Sequence, residues 1–373
     1  MSDDHDVTST PPQLQDLLKI MVKESASDLI LKSGGCPAMR VGGQIQFLGD
    51  TALGSDQMEE CLKGLLDERG LEDFSRHGAA DRAISIPEVG RFRCNAFHQG
   101  GEIGFVFRSI KREVASFKEL NLPVEPLKQL ASRKRGLVLA TGVAGSGKTT
   151  ALASMIEFIN CNHQRHIITV EDPIEYLYED RRSVVSQREI GTDVVSFPQA
   201  LRHAVRQSPD VILIGEMRDR ETCEAAIAAA ETGHLVLSTL HTVNAVQTVE
   251  RIITFFPPHQ HDLIRQQLSL NLAGVLSLRL IKTKEGSAMI PASELLVSTP
   301  TVRELLEKGQ TRNLPHALAD GAYYGTMTFN QSLIRLFESG NIALEDALAA
   351  SDQPDELKMQ MRGITHGGIS VTG

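Results

Sequence analysis

The chain has 373 residues, 41% of them apolar, and a net charge of -9 from 38 basic and 47 acidic side chains. That length suits two or three domains, and the acidic balance makes DNA and RNA poor partners because it repels their backbones. The five cysteines, Cys36, Cys61, Cys94, Cys161 and Cys223, form no C-x-x-C pair, which excludes a zinc or dithiol motif and fits a reducing cytoplasm.

No apolar run reaches the ~18 residues of a membrane span, and Met1-Ser2-Asp3-Asp4 lacks the apolar core of a signal peptide. Residues 1–12 are polar, close on Pro11-Pro12 and read as a flexible tail. Leu14, Leu17, Leu18, Met21 and Val22 then share one helical face. Asp28–Lys32 reads as a strand, and Met39–Val41 and Gln44–Leu48 flank Gly42-Gly43 as a hairpin. A helix is expected over Asp56–Glu68 with Ser55 as its N-cap, followed by strands at Arg82–Ile86, Arg91–Gln99 and Glu102–Ile110. Residues 13–110 thus form a small α+β domain, and 111–126, charged and carrying Pro123 and Pro126, form a linker.

Beyond the linker, strand and helix alternate over 127–345. Strands are expected at Gly136–Thr141, His166–Val170, Val211–Gly215 and Leu235–Leu240, and helices at Phe197–Gln207 and Asp219–Thr232. Ser196 and Gln199 stand at capping-box spacing. The alternation predicts an α/β domain, a parallel sheet covered by helices, with a mostly helical part from about Gln260 and a tail over 346–373. Arg133-Lys134-Arg135 is a short basic run that reads as a solvated face.

Gly142-Val143-Ala144-Gly145-Ser146-Gly147-Lys148-Thr149, with Thr150 after it, fits G-x-x-x-x-G-K-[ST] completely between a strand and a helix. Glycines let backbone N–H groups close around phosphates, and the following helix adds its dipole. Lys148 is expected on the β- and γ-phosphates of ATP and Thr149 on Mg²⁺. Val211–Ile214 runs into Gly215-Glu216, which puts Glu216 beyond the carboxyl end of a strand, placed to polarise water or act through Mg²⁺. Ile167–Val170 ends in Glu171-Asp172-Pro173, where either acid can hold Mg²⁺ or a water. His234 and His241 stand at the two ends of one strand, with His241 on the phosphate side. Arg91 and Arg93 alternate away from Phe92 and Cys94, and Arg108 lies on the next strand; such arginines are either solvated or fingers for γ-phosphoryl charge.

Together these patterns resemble the secretion ATPases, and within them the type IV pilus retraction ATPases. The family's Walker A loop, Asp box, atypical Walker B and His box are matched in order at Gly142–Thr149, Thr169–Tyr176, Asp210–Asp219 and Glu231–Thr242. The resemblance implies a PAS-like N-terminal domain, a RecA-like core and a homohexamer with ATP between domains. It casts Glu216 as the catalytic acid, Glu171 as the Asp-box acid, and His234 and His241 as the His-box pair. Arg93 and Arg108 take the finger positions, with Arg91 as a third. The missing C-x-x-C pairs favour retraction, and Thr301-Val302-Arg303-Glu304-Leu305-Leu306 matches a segment of the retraction members. The long end after Asn341 resembles the accessory members. The implied partners are an inner-membrane pilus platform protein and a paralogous retraction ATPase. No membrane insertion is implied, and the location is cytoplasmic at the inner face of the membrane. An assembly motor of opposite sense and a non-hydrolysing ATP-binding subunit are the alternatives.

Overall fold

The computed structural model describes residues 12–110, 113–286 and 288–362. The chain divides into two compact units between residues 112 and 113. In the first, strands β1 (Asp28–Lys32), β2 (Ala38–Val41), β3 (Gln44–Phe47), β4 (Ala79–Ile86), β5 (Gly90–Gln99) and β6 (Glu102–Ile110) form one sheet of order β3-β2-β1-β6-β5-β4. Every neighbouring pair is antiparallel. The β5–β6 hairpin turns at Gly100 and Gly101, whose φ values of 60° and 86° suit a primed turn that only glycine adopts cheaply. Alternation along β5 buries Phe92, Cys94 and Ala96, which meet Phe105 and Phe107 of β6 and Leu14, Leu18 and Met21 of helix Pro12–Lys23.

The helix expected over 56–68 is two helices, Ser55–Leu65 and Glu68–His77. Leu66 breaks the run by adopting an extended backbone that buries its side chain, and Asp67 then caps the second helix by accepting from Gly70 N at 2.7 Å. Ser55 is the first helical residue and not the cap; the cap position is Gly54, whose N–H donates to Gln57 Oε1 at 2.8 Å.

In the second unit, β7 (Gly136–Thr141), β8 (His166–Glu171), β9 (Val184–Glu189), β10 (Val211–Ile214), β11 (Leu235–Leu240), β12 (Leu272–Lys282) and β13 (Met289–Val297) lie in the order β13-β12-β7-β11-β10-β8-β9. All pairs are parallel except β12–β13. β7 is buried on both faces. Its Val138 and Ala140 meet helix Lys148–Asn162 through Leu152, Met155 and Ile156, while Leu137 and Leu139 join the core of helix Arg220–Glu231 through Cys223, Ala226 and Ala230. A sheet covered on both faces is the reason its strands read as unbroken apolar runs.

The part after Gln260 is mostly helical as expected, but it also supplies two strands that the sequence did not announce, β12 beside β7 and β13 beside β12. Most of β12 is buried on both faces, and such a run cannot be told from a buried helix by periodicity. The Ser196 capping box does not form: Ser196 holds the N-cap position of helix Phe197–Ala204 without a side-chain hydrogen bond. Phe117 and Leu122, read as linker residues, pack into the second unit's core with Leu127 and Leu130.

The segment read as a tail from residue 346 is folded as far as it is described. Helices Leu344–Ala350 and Pro354–Met361 bury Ala347 and Leu357 against Ile281 and Phe329. Arg279 of β12 clamps them: it donates to Ala350 O at 2.7 Å, pairs with Asp352 at 2.6 Å, and lies 4.0 Å from the Phe329 ring centre. Arg279→Ala should cost this segment about 2 kcal/mol, the worth of a charged hydrogen bond plus a cation–π contact. Hydrogen exchange over 344–361 should accelerate while exchange in β7 stays unchanged; equal protection in both proteins would refute the clamp.

Candidate nucleotide-binding site

The loop after β7 is shaped by its glycines. Gly142 has φ 144°, and a Cβ there would stand 2.5 Å from Leu278 O and strike Ser146 Oγ as well. Gly145 and Gly147 have φ values of 75° and 96°, the left-handed region that L side chains resist. The loop closes on Lys148, the first residue of its helix, whose Nζ donates to Gly142 O at 2.9 Å and Val143 O at 3.0 Å. Lys148 is buried; burial lowers its pKa, and Glu216 and Glu175 oppose that shift. Ser146 Oγ is buried without a hydrogen-bond partner. Thr150 Oγ1 lies 3.1 Å from Tyr176 Oη, which ties the start of the helix to the segment after β8.

Strands β8 and β10 run side by side to their carboxyl ends, where Gly215 N donates to Val170 O at 2.8 Å. That pairing brings Glu171 and Glu216 to one cleft of about 290 Å³ with Lys148 and Thr149. Glu216 is held from two sides: Oε2 lies 2.8 Å from Arg218 Nε and Oε1 lies 3.0 Å from His241 Nε2. Thr239 Oγ1 donates to Gly215 O at 2.7 Å, and Met217 N donates to Thr239 O at 3.1 Å, so β11 fixes the turn that carries the acid. Glu171 is buried, and burial raises its carboxyl to about 7 despite hydrogen bonds from the Glu175 backbone and Gln187.

The structure therefore gathers the whole loop, Glu171, Asp172, Glu216 and His241. It does not bring His234 there. His234 precedes β11, about 23 Å along the strand from His241 at ~3.3 Å per residue. Its Nδ1 lies 2.9 Å from Ala229 O and 3.2 Å from Thr232 Oγ1, at the end of helix Arg220–Glu231. Arg91, Arg93 and Arg108 belong to the first unit. Arg93 and Arg108 are directly paired across β5–β6; Arg93 lies 3.3 Å from Asp81 and Arg108 2.9 Å from Asp28. Sequence reasoning missed Arg218, Thr239, Tyr176 and Gln187. Arg218 stands two residues after Glu216 and was within reach of a spacing argument. The others depend on strand pairing that single residues do not announce.

Comparison with known proteins agrees with this geometry. Residues 100–316 match the family described as Type II/IV secretion system protein. The type IV pilus ATPase PilU of Pseudomonas aeruginosa is 41% identical over 350 residues, 94% of this chain and 91% of that protein. The PilT retraction ATPase of the same organism is 38% identical, over 92% of this chain and 99% of that one. A crystal structure of the pilus retraction motor PilT with bound ADP superposes with a TM-score of 0.85 at 41% identity, covering 92% of this chain and 98% of that chain. The ATPase DotB of Legionella pneumophila follows with a TM-score of 0.76 at 26% identity over 91% of this chain and 95% of that one. The chain is thus an ATPase of the type II/IV secretion class, with an antiparallel N-terminal sheet and a parallel α/β core like those of PilT. It belongs, within that class, to the PilU/PilT family of type IV pilus ATPases.

Proposed function

We propose that this protein is the ATP-hydrolysing subunit of a hexameric ring that powers type IV pilus retraction, working at the cytoplasmic face of the membrane. The observation that carries the reading is Glu216, held between Arg218 and His241 at the mouth of an intact phosphate-binding loop. In this reading the loop's backbone and Lys148 bind the phosphates, and Glu216 orients the attacking water and takes its proton. The bonds from His241 and Arg218 aim the carboxylate.

The cleft also fits Mg²⁺ by its charges. Even without Glu171, whose carboxyl burial lifts to about 7, Asp172, Glu175 and Glu216 outnumber Lys148 and Arg218, so a bridging cation favours entry of a polyphosphate. Among the described residues no three His, Cys, Asp or Glu side chains form a metal cage. That pattern suits an ion carried mainly by phosphates and water, with Thr149 as its protein ligand and the nearby acids acting through water. Bound there, the ion would neutralise charge developing on the phosphates.

Arg93 and Arg108, with Arg91 beside them, are assigned as fingers acting across subunits. Their pairings refine the test. Asp28, the partner of Arg108, is buried but also lies 3.6 Å from Arg40 Nε and accepts from Ser27 Oγ at 2.7 Å, so Arg108→Ala weakens its pairing without stranding it, whereas Arg108→Lys keeps a cation. Arg93→Ala should leave folding within ~0.5 kcal/mol and lower turnover by at least ~10²-fold, while nucleotide affinity changes less. Mixed rings of Arg93→Ala with Lys148→Ala subunits should recover some turnover, because one site in the mixture is complete. No recovery in rings shown to be mixed would refute action in trans.

The pilus platform protein and a paralogous retraction ATPase are the partners this reading assigns. A deletion strain should make pili that fail to retract; a strain that makes no pili would assign the chain to assembly.

A further inference from the structure

The basic run Arg133-Lys134-Arg135 is more than a solvated face. It leads into Gly136 at the start of β7, the end of the sheet opposite the Gly142 loop. The run borders a cavity of about 420 Å³ together with Arg303, Asn271 and Leu270, and no acidic side chain lines it. Arg303 arrives from helix Pro300–Glu307, whose Val302 and Leu306 pack on Ile264 and Leu268 of helix His261–Asn271. Burial, and after it the nearby cation of Arg303, lower the pKa of the Arg133 guanidinium.

Of the nearby acids, Glu304 pairs with Lys308 at 2.5 Å, Glu231 accepts from Asn271 Nδ2 at 3.3 Å, and Glu307 lies one turn beyond Arg303 on its helix without lining the cavity. The loop itself is stapled. Arg165 donates to Ser132 O and Arg133 O at 2.8 Å each and to Ala131 O at 3.3 Å. A cluster of four cations around a cavity that no acidic side chain lines, on a chain of net charge -9, attracts an outside anion.

Beside the cluster, Leu263 and Leu270 are 55% and 70% exposed. Seven residues apart on one helix, they share a face, with the uncharged Gln266 between them. A small soluble anion would satisfy the guanidinium groups and leave these leucines in water. A bilayer interface satisfies both, since guanidinium forks match phosphodiester oxygens and the leucines enter the headgroup boundary.

We propose that this face, formed by Arg133, Lys134, Arg135 and Arg303 with Leu263 and Leu270, docks on an anionic phospholipid surface. The contact is separate from the nucleotide cleft and does not depend on its assignment. The full-length protein should sediment with vesicles of phosphatidylcholine and phosphatidylglycerol and not with phosphatidylcholine alone, and salt should weaken the association. The double variant Lys134→Glu/Arg135→Glu should partition at least ~10²-fold less. Leu270→Ser should lower partitioning about tenfold and leave the salt dependence unchanged. Both should keep the oligomeric state and the ATP turnover of the parent in solution. The proposal fails if the protein ignores phosphatidylglycerol vesicles or if the charge variant binds them like the parent. It also fails if millimolar inorganic phosphate abolishes binding at constant ionic strength, which would mark a free-anion site. Disassembly of the ring by the charge variant would instead make this face a contact between copies, and would equally overturn it.

Discussion

Lys148→Ala should abolish measurable ATP turnover and weaken nucleotide binding together. The ammonium is the one lysine lining the cleft, and its Nζ reaches the carbonyls of Gly142 and Val143 at 2.9 and 3.0 Å, inside the curve of the loop. A fixed charge in that low-dielectric setting is worth about 3 kcal/mol or more to a phosphoryl transition state, so a loss of at least ~10²-fold is expected before any loss of affinity is counted. Folding should survive, because the substitution removes a charge whose burial already lowers its pKa. Fluorescent-nucleotide binding and phosphate release, measured on the same folded preparation, check both halves. Unchanged turnover would remove the loop from the reaction.

Glu216→Gln should leave ATP binding intact and lower turnover by at least ~10²-fold. The amide keeps the shape and its oxygen still accepts from Arg218, yet it cannot take a proton from water. Glu171→Gln is the informative contrast. Burial lifts the Glu171 carboxyl to about 7, which favours the protonated form that an amide imitates. Its substitution should therefore cost about tenfold or less. Single-turnover kinetics separate the two, since both variants should load nucleotide and only Glu171→Gln should discharge it at a useful rate. A larger loss at Glu171 than at Glu216 would transfer the proton-accepting role to the end of β8.

Much of this site was legible because it is written in short-range chemistry. Glycines at 142, 145 and 147 announce a backbone that other residues resist, and the apolar run 136–141 before them can only be a buried strand in that context. The strand at Glu102–Ile110 was readable to the residue because its turn and its alternation agree. What escaped depends on long-range pairing. β12 looks like any buried apolar stretch until β7 lies next to it, and β9 is a half-exposed edge with weak alternation. The folded end after residue 346 escaped for the same reason, since Ala347 and Leu357 mean little without Phe329 and Arg279. Arg108 is the subtler case: the alternation found its face, but its partnership with Asp28 spans 80 positions of chain.

The contrast between two adjacent loop positions bears on how this sequence can drift. Gly142 is boxed by Leu278 O and Ser146, and its φ of 144° excludes side chains even before the collision. Val143, its neighbour, is 57% exposed and lends the loop only its carbonyl, which any residue carries. In a saturation library selected for activity, codon 142 should therefore come back almost invariant and codon 143 nearly random. The boundary between fixation and free variation thus runs through a single peptide bond, and it is set by a carbonyl of β12, more than a hundred residues away in the chain.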